Sequence, residues 1–134
     1  MEESWHQVYV GLGSNLPQGA SQKIVEAIKG IESTGNIKAF STIYTTRPIN
    51  PKSTSDNDYH NAVVFFETHI PLDEYTVISK ELEDNVGRNQ SMGFVGIDID
   101  IVVWDGKILR PIDFEREYFQ LGYRQIMEKC REQV

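Results

Sequence analysis

The order of hydrophobic patterns along the 134 residues predicts an α+β fold, an antiparallel sheet with helices on one face. Three observations point to it. Strand-like stretches recur at residues 7–12, 59–68 and 97–104. The last alternates strictly between isoleucine and aspartate, as successive side chains of a strand face opposite ways. Segments between these stretches repeat their apolar residues at helical spacing, and Asp105-Gly106 is a strong two-residue hairpin signal after the last strand.

Each element follows from its residues. Residues 7–12 form a short first strand, broken by Gly13-Ser14-Asn15 and Pro17. Ile24, Ala27, Ile28 and Ile31 place a helix over 21–33, and Gly35-Asn36 ends it with turn chemistry. Residues 37–46 are rich in β-branched and aromatic side chains and predict one strand. Residues 47–58 are polar, hold two prolines and predict a long surface loop. In the strand over 59–68, Asn61 to Phe66 lack alternation, which predicts burial on both faces at the centre of the sheet.

Pro71 opens a second helix with Leu72, Tyr75, Ile78, Leu82 and Val86 on its apolar stripe and Gly87 as its cap. Residues 89–96 form a loop, 97–104 the aspartate strand, and 107–109 its hairpin return. From about Phe114 a last helix carries Phe119, Tyr123, Ile126, Met127 and Cys130 on one face, read as core rather than as a cofactor site. The resulting β-α-β-β-α-β-(β)-α order is the ferredoxin-like split βαβ plan. That plan hosts many functions, so the site residues must decide.

Composition narrows the choice. The length suits one domain spanning residues 1–134, and 40% hydrophobic with 25% charged residues is ordinary for a soluble protein. A net charge of −7 argues against a general nucleic-acid binder, which would show a basic stripe. The single cysteine, Cys130, excludes an intrachain disulfide or a cysteine zinc cluster and fits a reducing cytoplasm. No stretch approaches the ~20 apolar residues of a membrane span, and a cytoplasmic location is expected.

The richest stretch is Ile97-Asp98-Ile99-Asp100-Ile101-Val102-Val103-Trp104. Alternation puts Ile97, Ile99, Ile101 and Val103 in the core and both aspartates on the other face, with Cα atoms about 6.5 Å apart. Carboxylates that close repel unless a cation or a shared proton lies between them. A hard divalent cation such as Mg2+ takes such oxygen ligands. The same pattern also describes the solvated face of an edge strand. Val102 and Trp104 continuing the aspartate face, and the poor strand propensity of aspartate, weigh towards the cation. On the residues alone both readings stay open.

Three weaker signals accompany the pair. Gly11-Leu12-Gly13-Ser14-Asn15 reads as a glycine turn between strand and helix. Tyr59 and Asn61 share one face of their strand, a stacking ring beside an amide that both donates and accepts, or else an ordinary strand start. Glu83 with Gly87-Arg88 closes the second helix, where an arginine is commonly a dipole partner.

Taken together, Tyr9-Val10-Gly11-Leu12-Gly13-Ser14-Asn15-Leu16, Ser41-Thr42-Ile43-Tyr44-Thr45-Thr46, Asp58-Tyr59-His60-Asn61-Ala62-Val63, Leu82-Glu83 with Gly87-Arg88, and Ile97-Asp98-Ile99-Asp100-Ile101 resemble the 6-hydroxymethyl-7,8-dihydropterin pyrophosphokinase family of folate biosynthesis. The resemblance runs from about Tyr9 to Trp104. It implies transfer of pyrophosphate from ATP to the hydroxymethyl group of a reduced pterin. It implies that Asp98 and Asp100 are catalytic and metal-binding, holding two Mg2+ ions that bridge the ATP phosphates, and that Arg88 is catalytic on the nucleotide side. Thr46, Ile49, Tyr59 and Asn61 would hold the pterin, with Tyr118 or Phe119 as the other half of an aromatic sandwich. Glu83, Ile101, Arg110 and Arg116 would belong to the nucleotide side.

The resemblance thus implies small-molecule partners, a reduced pterin and ATP, with no nucleic acid and no membrane; a monomer is the default expectation. The chain also departs from the family pattern. Val95 stands where the family carries an arginine beside the metal site, in the stretch Met92-Gly93-Phe94-Val95, and Pro111-Ile112 replaces a Pro-His element. Two other functions stay open beside the enzyme. One is a catalytically weakened pterin- or nucleotide-binding module of the same fold; the other is a ferredoxin-like interaction domain with solvated aspartates.

Overall fold

The computed structural model describes residues 4–49, 58–87 and 93–132. The elements run β1 (His6–Ser14), α1 (Ala20–Glu32), β2 (Asn36–Phe40), β3 (Tyr44–Thr46), β4 (Tyr59–Thr68), α2 (Leu72–Val86), β5 (Asp98–Trp104), β6 (Lys107–Ile108), α3 (Pro111–Glu115) and α4 (Glu117–Glu132). The six strands form one antiparallel sheet in the order β2-β4-β1-β5-β6, with β3 also paired to β4. β1 is therefore central, between β4 and β5.

Successive side chains of β1 and β4 point to opposite faces of the sheet and so fall into two layers. Val8, Val10 and Leu12 with Ala62, Val64 and Phe66 meet Ile24, Ala27 and Ile31 of α1 and Tyr75 of α2. The split βαβ unit thus keeps both its helices on one face, as expected. The C-terminal helices close the other face, where Phe119 and Ile126 of α4 cover Val63, Val102 and Val103. β4 is buried on both sides, as its unbroken apolar run predicts. Among the described residues no helix is long and apolar enough to cross a membrane.

Several local readings change. The single strand expected over 37–46 is two strands, because a serine diverts the ladder. Ser41 N–H donates to the Val63 carbonyl (2.9 Å), but the Val63 N–H is received by the Ser41 hydroxyl (2.9 Å) in place of a backbone carbonyl. The chain swings out there, and Thr42 N–H donates to Gln125 Oε1 on α4 (2.9 Å).

In β5, a register shift opposite Tyr9 and Val10 inserts one extra residue between the partners Ile101 and Val103. Such a bulge flips the alternation. Val103 therefore joins Val102 in the α4 layer, and Trp104 joins Ile97 and Ile99 in the α1/α2 layer, the reverse of the simple alternation.

The helix expected from Phe114 is split at Arg116, whose backbone is extended between α3 and α4. Five residues carry too little periodicity for α3 to be seen in advance, although Pro111 at its first turn is a start signal. Met127, expected in the core, is 40% exposed, and its sulfur receives a hydrogen bond from the Tyr9 hydroxyl (3.7 Å).

α4 lies against the sheet through Gly122. A Cβ there would come 2.6 Å from Val63 Cγ2 and 2.9 Å from the Tyr44 hydroxyl. Gly122→Ala should therefore push α4 off β4 and destabilise the fold by about 1–3 kcal/mol despite the better helix propensity of alanine. Urea unfolding monitored by circular dichroism reads this directly; an unchanged midpoint would show that α4 docks without that close approach.

Candidate active site

The site begins with two absent side chains. In the sheet register Gly13 of β1 pairs with Asn61 of β4 on one side and Asp98 of β5 on the other, and Gly11 pairs likewise with Val63 and Asp100. Neighbouring strands lie about 4.8 Å apart, so Asn61 and Asp98 stand about 10 Å apart across a floor of bare backbone. β1 runs through both glycines to Ser14, so this stretch is strand where a turn was expected. The glycines serve the space above them: a Cβ at Gly13 would sit 3.5 Å from Asn61 Oδ1, and one at Gly11 would press to 3.3 Å from the Phe119 ring.

Over this floor opens a cavity of about 740 Å³. One end is lined by Thr46, Arg47, Pro48, Ile49, Tyr59 and Asn61, the other by Val95, Asp98, Asp100 and Arg110. Ile112, Asp113, Arg116, Tyr118 and Phe119, from the α3–α4 segment, supply further wall.

Asn61, buried, donates its amide to Thr46 Oγ1 (2.8 Å) and more weakly to the carbonyls of Tyr59 (3.3 Å) and Tyr44 (3.5 Å). Its amide is thereby fixed on β4 with the carbonyl oxygen towards the Gly13 floor. The Tyr44 hydroxyl donates to the Tyr118 carbonyl (2.6 Å) and accepts from Gly122 N–H (3.0 Å), which fixes where α4 begins. Burial pushes that phenol up to about 12.

At the opposite end the aspartates share one face of β5, and their electrostatics are strained. Asp98 is raised from 3.8 to about 6, first because the surrounding wall displaces water from its carboxylate, then by Asp100 and Glu83; Lys80 and Arg110 only partly oppose this. Asp100 is raised as well, by burial first, with Arg110 opposing. Arg110 Nη2 lies 3.8 Å from Asp100 Oδ1, and its Nε donates to Asp113 Oδ2 at 2.5 Å. The Tyr118 hydroxyl donates to the other oxygen of Asp113. Glu83 accepts the Ile99 N–H (2.7 Å) from α2 and so satisfies a backbone donor that β1 and β6 leave unpaired.

Most residues expected at the site meet here. Thr46, Ile49, Tyr59, Asn61, Asp98, Asp100, Arg110, Arg116 and Tyr118 all line the one cavity. Glu83 stands just behind Asp98 and Asp100 rather than in the cavity wall, and Ile101 packs into the α1/α2 core on the other face of β5. Arg88 and Met92 lie outside the described residues. Val95 lines the cavity and is tied to the end of β1, donating its N–H to Asn15 Oδ1 (2.6 Å) and accepting from Ser14 Oγ (3.2 Å). Ile112 also lines it and is 71% exposed.

Sequence reasoning missed Asp113. Its signal was only a spacing, three residues after Arg110 and five before Tyr118, which means nothing until α3 is known to turn there.

Among the described residues no group of three or more His, Cys, Asp or Glu is placed to hold a metal. Two carboxylates on one strand face, both disfavoured as anions by their surroundings, still suit a hard cation that takes its other ligands from water and phosphate. Mg2+ is commonly bound in that way, through one or two carboxylates plus substrate oxygens.

A family model described as 7,8-dihydro-6-hydroxymethylpterin-pyrophosphokinase (HPPK) matches residues 9–128. Comparison with curated proteins finds no match.

The raised Asp98 sets a pH dependence. Folded Asp98 holds a proton up to about pH 6 that the unfolded chain has released near 4, so its contribution to stability falls as pH rises through that window. Asp98→Asn should therefore gain stability relative to the unmodified protein between pH 4 and pH 7 in the absence of divalent cations. Urea unfolding of both proteins at the two pH values checks this; a pH-independent difference would place the ordinary carboxylate value at Asp98.

Proposed function

We infer an activity from two premises: the chain belongs to the 7,8-dihydro-6-hydroxymethylpterin-pyrophosphokinase family, and its cavity sets an amide-and-ring end against a carboxylate end. The proposed reaction transfers the diphosphoryl group of ATP to the hydroxymethyl group of 6-hydroxymethyl-7,8-dihydropterin, a step of folate biosynthesis. The bond that forms joins the hydroxymethyl oxygen to the β-phosphorus. The bond that breaks joins that phosphorus to the oxygen bridging the α-phosphate, so AMP leaves and the hydroxyl proton is lost.

The observation that carries this reading is the row Asn61–Gly13–Asp98 across three adjacent strands. A flat heterocycle held at Asn61 and Tyr59 has its exocyclic carbon directed over the glycine floor, towards whatever Asp98 and Asp100 hold. Asn61 reads the ring's polar edge, Tyr59 and Tyr118 offer aromatic faces, and Thr46 fixes the Asn61 amide.

Asp98 and Asp100 are the proposed ligands for Mg2+, two ions in the full site, which would neutralise phosphate charge and orient the chain of phosphates. Arg110 and Arg116, both in the cavity wall, are the proposed contacts for the remaining phosphate charge, with Arg88 assigned to the same side. Glu83 acts through the backbone of β5, holding the strand that carries the carboxylates. In this class of transfer positioning and charge neutralisation do most of the work, which suits a cavity with few nucleophiles and several charged groups.

A second reading keeps the pocket and lowers the turnover. Val95 and Ile112 line the cavity with apolar groups and bring no charge to the carboxylate end, as a pterin-binding module with weakened catalysis would allow.

Calorimetry separates the two. With the dihydropterin and a non-hydrolysable ATP analogue, the enzyme reading expects nucleotide binding that requires Mg2+ and is lost in Asp98→Ala and in Asp100→Ala. Pterin binding indifferent to Mg2+ and nucleotide would favour the module. Asn61→Ala should weaken the pterin by roughly 10- to 100-fold, since it leaves polar edge groups unpaired at about 1–3 kcal/mol.

A further inference from the structure

Asn15 answers both backbone polar groups of Val95. Its side-chain Oδ1 accepts the Val95 N–H at 2.6 Å, and its own N–H donates to the Val95 carbonyl at 3.2 Å. The Ser14 hydroxyl donates to the same carbonyl at 3.2 Å, from a fully buried side chain. β1 ends at Ser14 and β5 begins at Asp98, so these three bonds lie beyond the regular ladder, whose last pair is Gly13 with Asp98. In an antiparallel pair two facing residues exchange an N–H and a C=O. Asn15 makes that exchange with a side-chain carbonyl in place of a backbone one.

The segment so held leads directly into the strand that carries the aspartates. Val95 stands three residues before Asp98, with Gly96 and Ile97, both buried, between them. Further along β5 there are other anchors. Glu83 accepts the Ile99 N–H at 2.7 Å from α2, and Arg110 Nη2 lies 3.8 Å from Asp100 Oδ1. Asp98, at the leading end of the strand, has its upstream anchor at Val95. Burial of Ile97 sets how deep the chain lies, but apolar contact is non-directional and does not set how far the chain slides along its own axis. Hydrogen bonds to both polar groups of Val95 do, because their geometry is directional.

We propose that Ser14 and Asn15 are positioning residues for the carboxylate end: by holding Val95 they fix where Asp98 stands relative to Asp100, and with it the affinity of the pair for Mg2+ bound together with phosphate. Mg2+ demands near-ideal octahedral geometry, so a small displacement of one carboxylate is costly. Groups that hold a metal ligand from behind commonly change metal affinity by about 10- to 100-fold when removed.

This rests on the Mg2+-and-ATP reading above, and the test keeps the two apart. Calorimetry with a non-hydrolysable ATP analogue at graded Mg2+ concentrations gives the Mg2+ midpoint of nucleotide binding in the intact protein, in Asn15→Ala and in Ser14→Ala. A parallel titration gives the affinity for 6-hydroxymethyl-7,8-dihydropterin without Mg2+, and amide exchange reports on the Val95 N–H in the ligand-free protein. The expected midpoint rises about tenfold in Asn15→Ala and by a smaller factor in Ser14→Ala. Val95 exchange quickens in both, and pterin affinity stays within about twofold. Asn15 lines the cavity and could touch a ligand directly, whereas Ser14 is buried, so a shift in Ser14→Ala marks action through Val95. Ser14→Ala removes only a hydroxyl and so keeps the test open if Asn15→Ala folds poorly. An unchanged Mg2+ midpoint in variants whose Val95 amide exchanges faster overturns the positioning role alone, as does an equal loss of pterin affinity, which would mark a merely structural effect. Failure of the intact protein to bind nucleotide at any Mg2+ concentration overturns the functional reading and this inference together.

Discussion

The site depends on one constraint of register: two charged side chains of β5 must face the two residues of β1 that have none. Pairing Gly13 with Asp98 and Gly11 with Asp100 gives the carboxylates an open cavity instead of a packed neighbour, and it puts Asn61 on the far side of the same glycine. A slip of one residue would turn both aspartates into the α1/α2 core and both isoleucines into the cavity. The hydrophobic layer forbids it, since Ile97 and Ile99 are almost fully buried beside Val10 and Leu12. Core packing therefore holds the charged pair in place, and the cost of crowding two carboxylates is met by the stability of the sheet behind them.

What the sequence disclosed follows the same division. The alternation of β5, the unbroken apolar run of β4 and the helical stripes of α1 and α2 are direct imprints of burial, and they were legible. The hairpin at Asp105-Gly106 was legible too, because both residues take the positive φ that such a turn demands. What was hidden turned on single side chains acting at a distance. Ser41 breaks its strand only because its hydroxyl meets Val63, and Asp113 matters only because α3 brings it between Arg110 and Tyr118. The bulge in β5 is invisible for a related reason: Val102 and Val103 look alike in sequence, and only pairing with β1 reveals which one is extra.

The C-terminal helices show how a simple sheet acquires a roofed pocket. α1 and α2 complete the hydrophobic layer on one face and leave the other bare. α3 and α4 then cover that face incompletely, with Ile126 and Phe119 seated over the apolar rows and the segment from Arg110 to Tyr118 arching over the glycine floor. Tyr44, Gly122 and Gln125 pin α4 to the edge formed by β3 and the outlying Thr42. The roof is thus fastened at the Asn61 edge of the cavity and meets the carboxylate side through Arg110.

The bulge in β5 gives the strand a division of labour. Before it, alternate residues serve the cavity and the α1/α2 layer; after it, the phase is reversed and Val103 and Trp104 bury themselves in opposite layers. The extra residue separates two registers of the same strand pair. Beyond it the hairpin has its own anchor, where Asp105 Oδ1 accepts the Gln7 N–H (2.8 Å) and Oδ2 lies 2.7 Å from His6 Nδ1. The two carboxylates therefore take their phase from Gly11 and Gly13, and the hairpin end takes its phase from Val8 and Tyr9. One strand thereby satisfies a charged row and a packed row that a single unbroken register could not.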